Sequence, residues 1–78
     1  MVYEVRIFLK DGLLDPQATT IENALKRLQF SELNSVRLGR TFLLTVEPYT
    51  PLERIQEMCK QLLANPVMER YEIREVPS

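Results

Sequence analysis

The chain has 78 residues, enough for a single domain spanning residues 1–78 but too few to bury a large core, so oligomerisation is a common remedy. Its formal net charge of −1 argues against a nucleic-acid-binding protein, which usually carries a basic surface. With no histidine and only two glycines, the chain lacks a Ser-His or Cys-His nucleophile pair, the usual zinc ligand sets and a glycine-rich phosphate loop.

The composition also bears on location. No apolar run approaches the ~18 residues of a membrane span. The N-terminus MVYEVRIFLK does not have the layout of a signal peptide. A single cysteine cannot form an internal disulfide, which fits a reducing compartment. We therefore expect a cytoplasmic protein that binds neither membrane nor nucleic acid.

The first predicted element is a strand over residues 2–9, whose apolar face comprises Tyr3, Val5, Ile7 and Leu9. The loop KDGLLDP follows. Asp15 is then expected to cap a helix that has Pro16 at its first position, where the missing N–H costs nothing. This helix should run to about Gln29, with one apolar stripe formed by Ile21, Leu25 and Leu28.

The middle of the chain, SVRLGRTFLLTVE at residues 35–47, alternates apolar and polar side chains on both sides of Gly39. A two-residue hairpin turn at Gly39-Arg40 would put the apolar side chains of the two halves on opposite faces. We therefore predict one long strand that is bent or bulged at Gly39. It would reach roughly 40 Å, about twice the usual strand, and its far half needs a cover.

The second helix should begin at a capping box over residues 50–53, TPLE. Its apolar stripe repeats at 3-4-3 spacing and comprises Leu52, Ile55, Cys59 and Leu62. Asn65-Pro66 should stop the helix, because the residue before proline avoids the helical region. A last strand is predicted from about Glu69 to Val76.

This order of elements predicts an α+β, ferredoxin-related βαβαβ subunit with a long bent middle strand and two helices on one sheet face. A long strand with an uncovered half leaves an unpaired edge, which proteins seldom expose. A second copy across a two-fold axis is the simplest cover. We therefore expect a fold completed by dimerisation, as a homodimer or as a tetramer built from it.

Three stretches together resemble the PurS family, the small subunit of phosphoribosylformylglycinamidine (FGAM) synthase. They are DGLLDPQ at residues 11–17, VRLGRTFLLTVE at residues 36–47 and CKQLLANPVMERYEI at residues 59–73. Two positions depart from the family pattern. Ala18 stands where glycine is common, and Gln29 follows Leu28 where the family often has a Leu-Gly pair.

The resemblance implies a non-catalytic subunit of an assembly that makes FGAM in de novo purine synthesis. Family members assemble with a large ATP-dependent synthetase subunit and a glutaminase subunit, which carry the chemistry. The small subunit would bridge the two and let glutamine-derived ammonia pass between them. ATP and magnesium would be used by the synthetase, and this subunit would hold no cofactor, metal or catalytic residue.

The loop before the first helix carries candidate contacts with a partner or a second copy. Leu13 and Leu14 could insert into a partner or be buried in a dimer core. Asp15 and Gln17 are expected to cap and order the helix, and docking is the alternative for this pair.

Further candidates lie on the middle strand and after the second helix. Arg37 lies on the polar face of the strand, where a cross-strand ion pair competes with a partner contact. Arg40 interrupts the apolar face, to which Phe42 also belongs, and both are candidate interface residues. Asn65 and Pro66 either stop the helix or shape a loop that touches the synthetase.

Other functions compete with the assembly role. Cys59 is expected to be a buried small hydrophobe, since no histidine can activate it. A ferredoxin-like homodimeric regulatory domain that binds an effector usually has a glycine-rich turn, which this chain does not have. An acylphosphatase-like enzyme needs a phosphate-binding loop, and the two aspartates of KDGLLDP would repel phosphate. The charge and the missing aromatic strand motifs exclude an RNA-binding domain.

Overall fold

The computed structural model describes residues 1–77, so Ser78, the last residue of the predicted domain, lies outside the described residues. One antiparallel sheet has the strand order β2-β1-β3 and consists of β1 (Val2–Leu9), β2 (Gly39–Thr45) and β3 (Glu69–Val76). The helices are α1 (Pro16–Arg27) and α2 (Leu52–Met58), and α2 continues as a π-helical turn over Cys59–Leu63. The predicted βαβαβ order is confirmed.

The core lies between the central strand and α2. Tyr3, Val5 and Ile7 of β1 are buried on one face of the sheet, as the alternation predicted. Ile55 and Cys59 of α2 are fully buried against them. The flanking strands extend this face with partly buried apolar side chains, among them Phe42, Leu44, Tyr71 and Ile73. The opposite face of the sheet carries charged pairs and faces solvent.

Helix α1 ends at Arg27, two residues before the predicted end, in a Schellman motif. The backbone N–H of Phe30 donates to the carbonyl oxygen of Leu25 at 3.2 Å, and that of Gln29 donates to Lys26 at 3.1 Å. This closure requires a left-handed residue after the helix, and Gln29 takes that conformation with φ = 75°. Glycine would adopt this conformation without strain.

Helix α1, unlike α2, lies outside the core cluster. Within residues 1–77, Ala18 is the one buried residue of α1, and the core cluster draws on none of this helix. The backbone N–H of Val36 donates to Glu22 at 3.1 Å, so α1 is tied to the segment before β2 rather than to the core. The molecule is accordingly thin, with extents of 49 × 30 × 13 Å.

Strand β2 is shorter than the predicted residues 35–47. It begins at Gly39, where the sequence predicted a bend, and the last pair of its ladder with β1 is Phe8–Gly39. Within residues 1–77, residues 35–38 pair with no strand. A β-carbon at Gly39 would lie 2.7 Å from the carbonyl oxygen of Ile7, so the close approach requires glycine.

The predicted capping box of α2 is wrong. Pro51 occupies the N-cap position, and its side chain makes no capping hydrogen bond. The N–H of Thr50 donates to the carbonyl oxygen of Glu47 at 3.0 Å, so Thr50 belongs to the preceding turn. Glu53 still lies in the first helical turn, where the helix dipole favours a negative charge.

The second half of the predicted α2 stripe also differs. The N–H of Ala64 donates to the carbonyl oxygen of Cys59 at 2.9 Å, five residues back, which is the π-helical pattern. This wider turn changes which side chains point inward. Ala64 is buried and Leu63 packs on the core, whereas Leu62 is 84% exposed.

Candidate functional site

Most of the candidate contact residues meet at one end of the sheet, which we call the loop end. It comprises the loop of residues 10–15, the segment of residues 36–40 and the loop of residues 64–68. The backbone N–H of Lys10 donates to the carbonyl oxygen of Met68 at 2.8 Å, and its Nζ donates to that of Pro66 at 3.0 Å. Arg37 Nη2 donates to the carbonyl oxygen of Leu9 at 3.3 Å. These hydrogen bonds hold the three segments together.

Two depressions lie side by side at the loop end. One, of about 320 Å³, lies between residues 10–15 and residues 36–38 and includes Leu13, Leu14 and Arg37 in its lining. The other, of about 280 Å³, includes Gln17, Arg40 and Glu69. Both depressions are lined in part by Leu9, Asp15 and Leu38.

Leu13 and Leu14 project from the loop that follows β1. Gly12 allows the tight turn there by adopting a φ of 87°, and the N–H of Leu13 donates to the carbonyl oxygen of Lys10 at 3.2 Å. Both leucines are exposed, and Leu14 is 78% accessible. Exposed apolar side chains on a hydrogen-bonded loop suit contact with another protein.

Asp15 caps α1, as the sequence predicted. Its carboxylate accepts hydrogen bonds from the backbone N–H groups of Gln17 at 3.0 Å and Ala18 at 3.3 Å. Pro16 is the first helical residue. The side chain of Gln17 is exposed beside this cap, so it remains available to a partner.

Arg37 is half exposed and is held by its own chain. Its guanidinium lies 5.1 Å from the centroid of the Phe8 ring, a cation–π distance. Its charged partner is Asp11, at 3.6 Å, rather than a glutamate of a neighbouring strand. The Arg37–Asp11 pair is solvent-exposed and therefore contributes little to stability.

Arg40 forms the strongest polar cluster at the loop end. Its guanidinium donates to both carboxylate oxygens of Glu69, at 2.6 and 2.8 Å, and to the carbonyl oxygen of Leu63 at 2.7 Å. This bidentate bond, together with the backbone N–H of Asn65, holds the pKa of the Glu69 carboxyl below its usual value. Arg40 therefore joins β2 to the end of the π turn and to the start of β3.

The partner of Arg40 is Glu69, which the sequence pattern alone does not identify. The pairing of Leu9 with Glu69, and of Ile7 with both Arg40 and Tyr71, places the two charged side chains near each other across β1. An arginine on an apolar strand face is expected to pair with an acidic side chain. Which acidic residue it pairs with can be predicted only when the strand register is known.

Asn65 and Pro66 begin a compact exposed loop. The Asn65 side-chain oxygen accepts from the backbone N–H groups of Val67 at 2.9 Å and Met68 at 3.3 Å. The helix has already ended at Leu63, so Asn65 organises the following turn rather than the helix end. Val67 and Met68 are exposed at its tip.

Phe42 lies away from the loop end. It pairs with Val5 and packs against the core of its own chain. Its role as a contact with another subunit stays a prediction.

The loop end offers contact surface and little chemistry. Among residues 1–77, no cluster of three potential metal ligands occurs, and no helix is long and apolar enough to cross a membrane. Cys59 is buried under α2, and burial raises the pKa of its thiol, which disfavours a nucleophilic thiolate.

Comparison with known proteins places these features in one family. Residues 2–77 match the family model PurS, described as phosphoribosylformylglycinamidine (FGAM) synthase. The phosphoribosylformylglycinamidine synthase subunit PurS of Bacillus subtilis is 40% identical in an alignment of 81 positions, gaps included, that covers 96% of each chain. The crystal structure of the Thermotoga maritima purS subunit superposes with a TM-score of 0.86 at 31% identity and covers 96% of this chain and 90% of that one. A chain in the structure of PurLQS from Thermotoga maritima superposes with a TM-score of 0.82 at 31% identity and covers 97% and 99%.

Proposed function

Since the chain belongs to the PurS family, we propose that it is the non-catalytic small subunit of an FGAM synthase in de novo purine synthesis. In this role it bridges the ATP-dependent synthetase and the glutaminase and supports transfer of glutamine-derived ammonia between them. The similarity over nearly the full length of both this chain and its relatives carries the proposal.

The chemistry of the chain supports a bridging rather than a catalytic role. The chain has no histidine, and the thiol of Cys59 is buried with a raised pKa. As membership of the PurS family implies, we assign ATP and magnesium to the synthetase and no cofactor to this subunit. The single cysteine supports a cytoplasmic location as part of the same proposal. Nothing in the comparisons favours the effector-binding alternative, since the reported relatives are PurS subunits.

The loop end is the proposed contact surface for the larger subunits. Its exposed apolar side chains stand on two loops that Lys10 ties together, so they present a fixed shape. A preformed surface lowers the conformational entropy lost on binding. The exposed apolar side chains on these loops are Leu13, Leu14, Val67 and Met68.

The chain is also proposed to act as a homodimer or as a tetramer built from it. Helix α1 contributes none of its residues to the core cluster, and Leu28, which follows its last turn, is 67% exposed. Strand β2 is an edge strand, residues 35–38 before it are unpaired within residues 1–77, and Val36 of this segment is hydrogen-bonded to Glu22 of α1. A second copy across a two-fold axis would cover Leu28 and this edge together.

A reconstitution assay tests the assembly role. The synthetase and glutaminase subunits from the same organism are mixed with and without this protein, and glutamine-dependent formation of FGAM is followed. We expect activity to require the added chain and the three proteins to sediment together. Full activity without the chain, or no complex in its presence, would contradict the proposal.

A further inference from the structure

At the end of α2, the side chains that point to the core are not the ones that the apolar pattern of the sequence favours. We call this choice of inward side chains the register of the helix end. In a regular α-helix, residues seven positions apart lie about two turns apart on the same face, so Leu62 would lie in line with the fully buried Ile55. The π turn instead leaves Leu62 84% exposed and directs Leu63 and Ala64 to the core. Exposing a leucine forfeits its apolar burial, so other interactions must favour this register.

The Arg40–Glu69 pair supplies those interactions. Leu63 is the last residue of the π turn, and its carbonyl oxygen accepts a hydrogen bond from Arg40 Nη2 at 2.7 Å. Glu69 holds the guanidinium bidentately and accepts the backbone N–H of Asn65 at 2.8 Å. One residue of helix corresponds to about 1.5 Å of rise and about 100° of rotation, so a one-residue shift would break both backbone hydrogen bonds. The two bonds are therefore specific to the π register.

We propose that the end of α2 has two alternative registers, a π-helical one with Leu63 inward and an α-helical one with Leu62 inward, and that the Arg40–Glu69 pair selects the first. The stripe of Ile55, Cys59 and Leu62 favours the α-helical register. The hydrogen bonds of the ion pair favour the π-helical one. Removing the pair leaves the apolar stripe as the stronger preference.

The switch has two structural outputs. In the α-helical register Leu62 leaves the surface, and Asn65 is released from Glu69, which moves the exposed tip formed by Val67 and Met68. A subunit or ligand that competes for Arg40 or Glu69 would shift the balance, since it would bind one register better than the other. The inference concerns the isolated chain and does not depend on the proposed function.

NMR spectroscopy of the isotope-labelled chain tests the proposal with Arg40→Gln. We expect residues 59–64 to keep helical chemical shifts while the Leu62 methyl groups replace those of Leu63 in contacts with the core. The Asn65 amide, which is released from Glu69 in the α-helical register, should exchange about tenfold faster or more, as expected for the loss of a charge-assisted hydrogen bond. Glu69→Gln, which frees Arg40 without removing it, should give the same change in a smaller fraction of molecules.

Two further variants complete the test. Arg37→Gln removes a half-exposed arginine that also donates to a backbone carbonyl at the loop end, and it should leave residues 59–64 unchanged. Adding Leu62→Asp to Arg40→Gln should restore the π-helical register, because a carboxylate cannot be buried there unpaired. Unchanged Leu63 contacts in both Arg40→Gln and Glu69→Gln, or loss of helical shifts over residues 59–64 in both, would overturn the proposal.

Discussion

Gln29 is a residue at which the backbone is under strain. Its φ of 75° lies in the left-handed region, which disfavours residues with a β-carbon by about 1–2 kcal/mol. Gln29→Gly should therefore raise the free energy of unfolding by about 1 kcal/mol, partly offset by the greater freedom of glycine in the unfolded chain. Urea unfolding of both proteins measures the difference.

Gln56→Gly is the matched control for this prediction. Gln56 lies inside α2, where glycine costs about 1 kcal/mol relative to good helix formers, so the same substitution should destabilise the protein there. Destabilisation by both substitutions would show that the left-handed strain at Gln29 is negligible.

Glu69 should make the free energy of unfolding depend on pH, because Arg40 lowers the pKa of its carboxyl in the folded protein. A lowered folded pKa stabilises the protein above the unfolded value of about 4.5, and this contribution is lost as the pH falls below it. Unfolding free energies measured between about pH 3 and pH 7 should thus fall less steeply for Glu69→Gln than for the native chain. The pKa of Glu4 is lowered too, by Arg6 and Arg74, so part of the slope should remain.

The control for the pH series is Glu32→Gln. Glu32 is exposed, lies outside both helices and takes part in none of the salt bridges found within residues 1–77. This variant should retain the native slope below about pH 4.5. Equal slopes for Glu69→Gln and the native chain would contradict the assigned role of the Arg40–Glu69 pair.

Among the elements, α2 packs on the core with side chains of its earlier turns, and Leu62 takes no part in this packing. Ile55 is fully buried against β1, so Ile55→Ala should cost about 2–5 kcal/mol of unfolding free energy. Leu62 is 84% exposed, and Leu62→Ala should change it by about 0.5 kcal/mol or less. Chemical denaturation of the two variants in the absence of partner subunits measures both free energies of unfolding. Similar decreases for the two variants would show that Leu62 is buried.

The elements differ in how far local sequence determines them. Alternation over residues 2–9 and 69–76 predicted both strands and their buried faces, because those residues face a core on one side only. The cap formed by Asp15 was predictable from sequence, because the N–H groups that its carboxylate accepts from are only two and three residues ahead. Such signals are contained in the segment that they describe.

The remaining features depend on contacts between distant segments. The π turn ends where Arg40, 23 residues earlier, binds the carbonyl oxygen of Leu63. Periodicity within α2 therefore pointed to Leu62, because it contains no information about that bond. The partner of Arg40 is likewise fixed by strand register, and the position of α1 by the hydrogen bond between Val36 and Glu22. The candidate loops were recognised from sequence, but their convergence required the fold.

For the molecule as a whole, the exposed apolar side chain of Leu28 after α1 predicts self-association. Leu28→Asp would place a charge in the contact between two copies, which should weaken the dimer strongly. Sedimentation velocity at micromolar concentration should show a dimer or tetramer for the native chain and a monomer for Leu28→Asp. Lys60→Asp, on the exposed side of the π turn, is the control and should leave the assembly intact. A monomeric native chain would contradict the predicted association.

The proposed bridging role leaves the chemistry to the two larger subunits. The decisive measurement is the ratio of two activities of the reconstituted synthase, one driven by glutamine and one by free ammonia, with and without this subunit. We expect that omitting the subunit abolishes glutamine-driven formation of FGAM and leaves ammonia-driven formation largely intact. Equal loss of both activities would contradict this expectation, because the subunit would then complete or stabilise the synthetase itself.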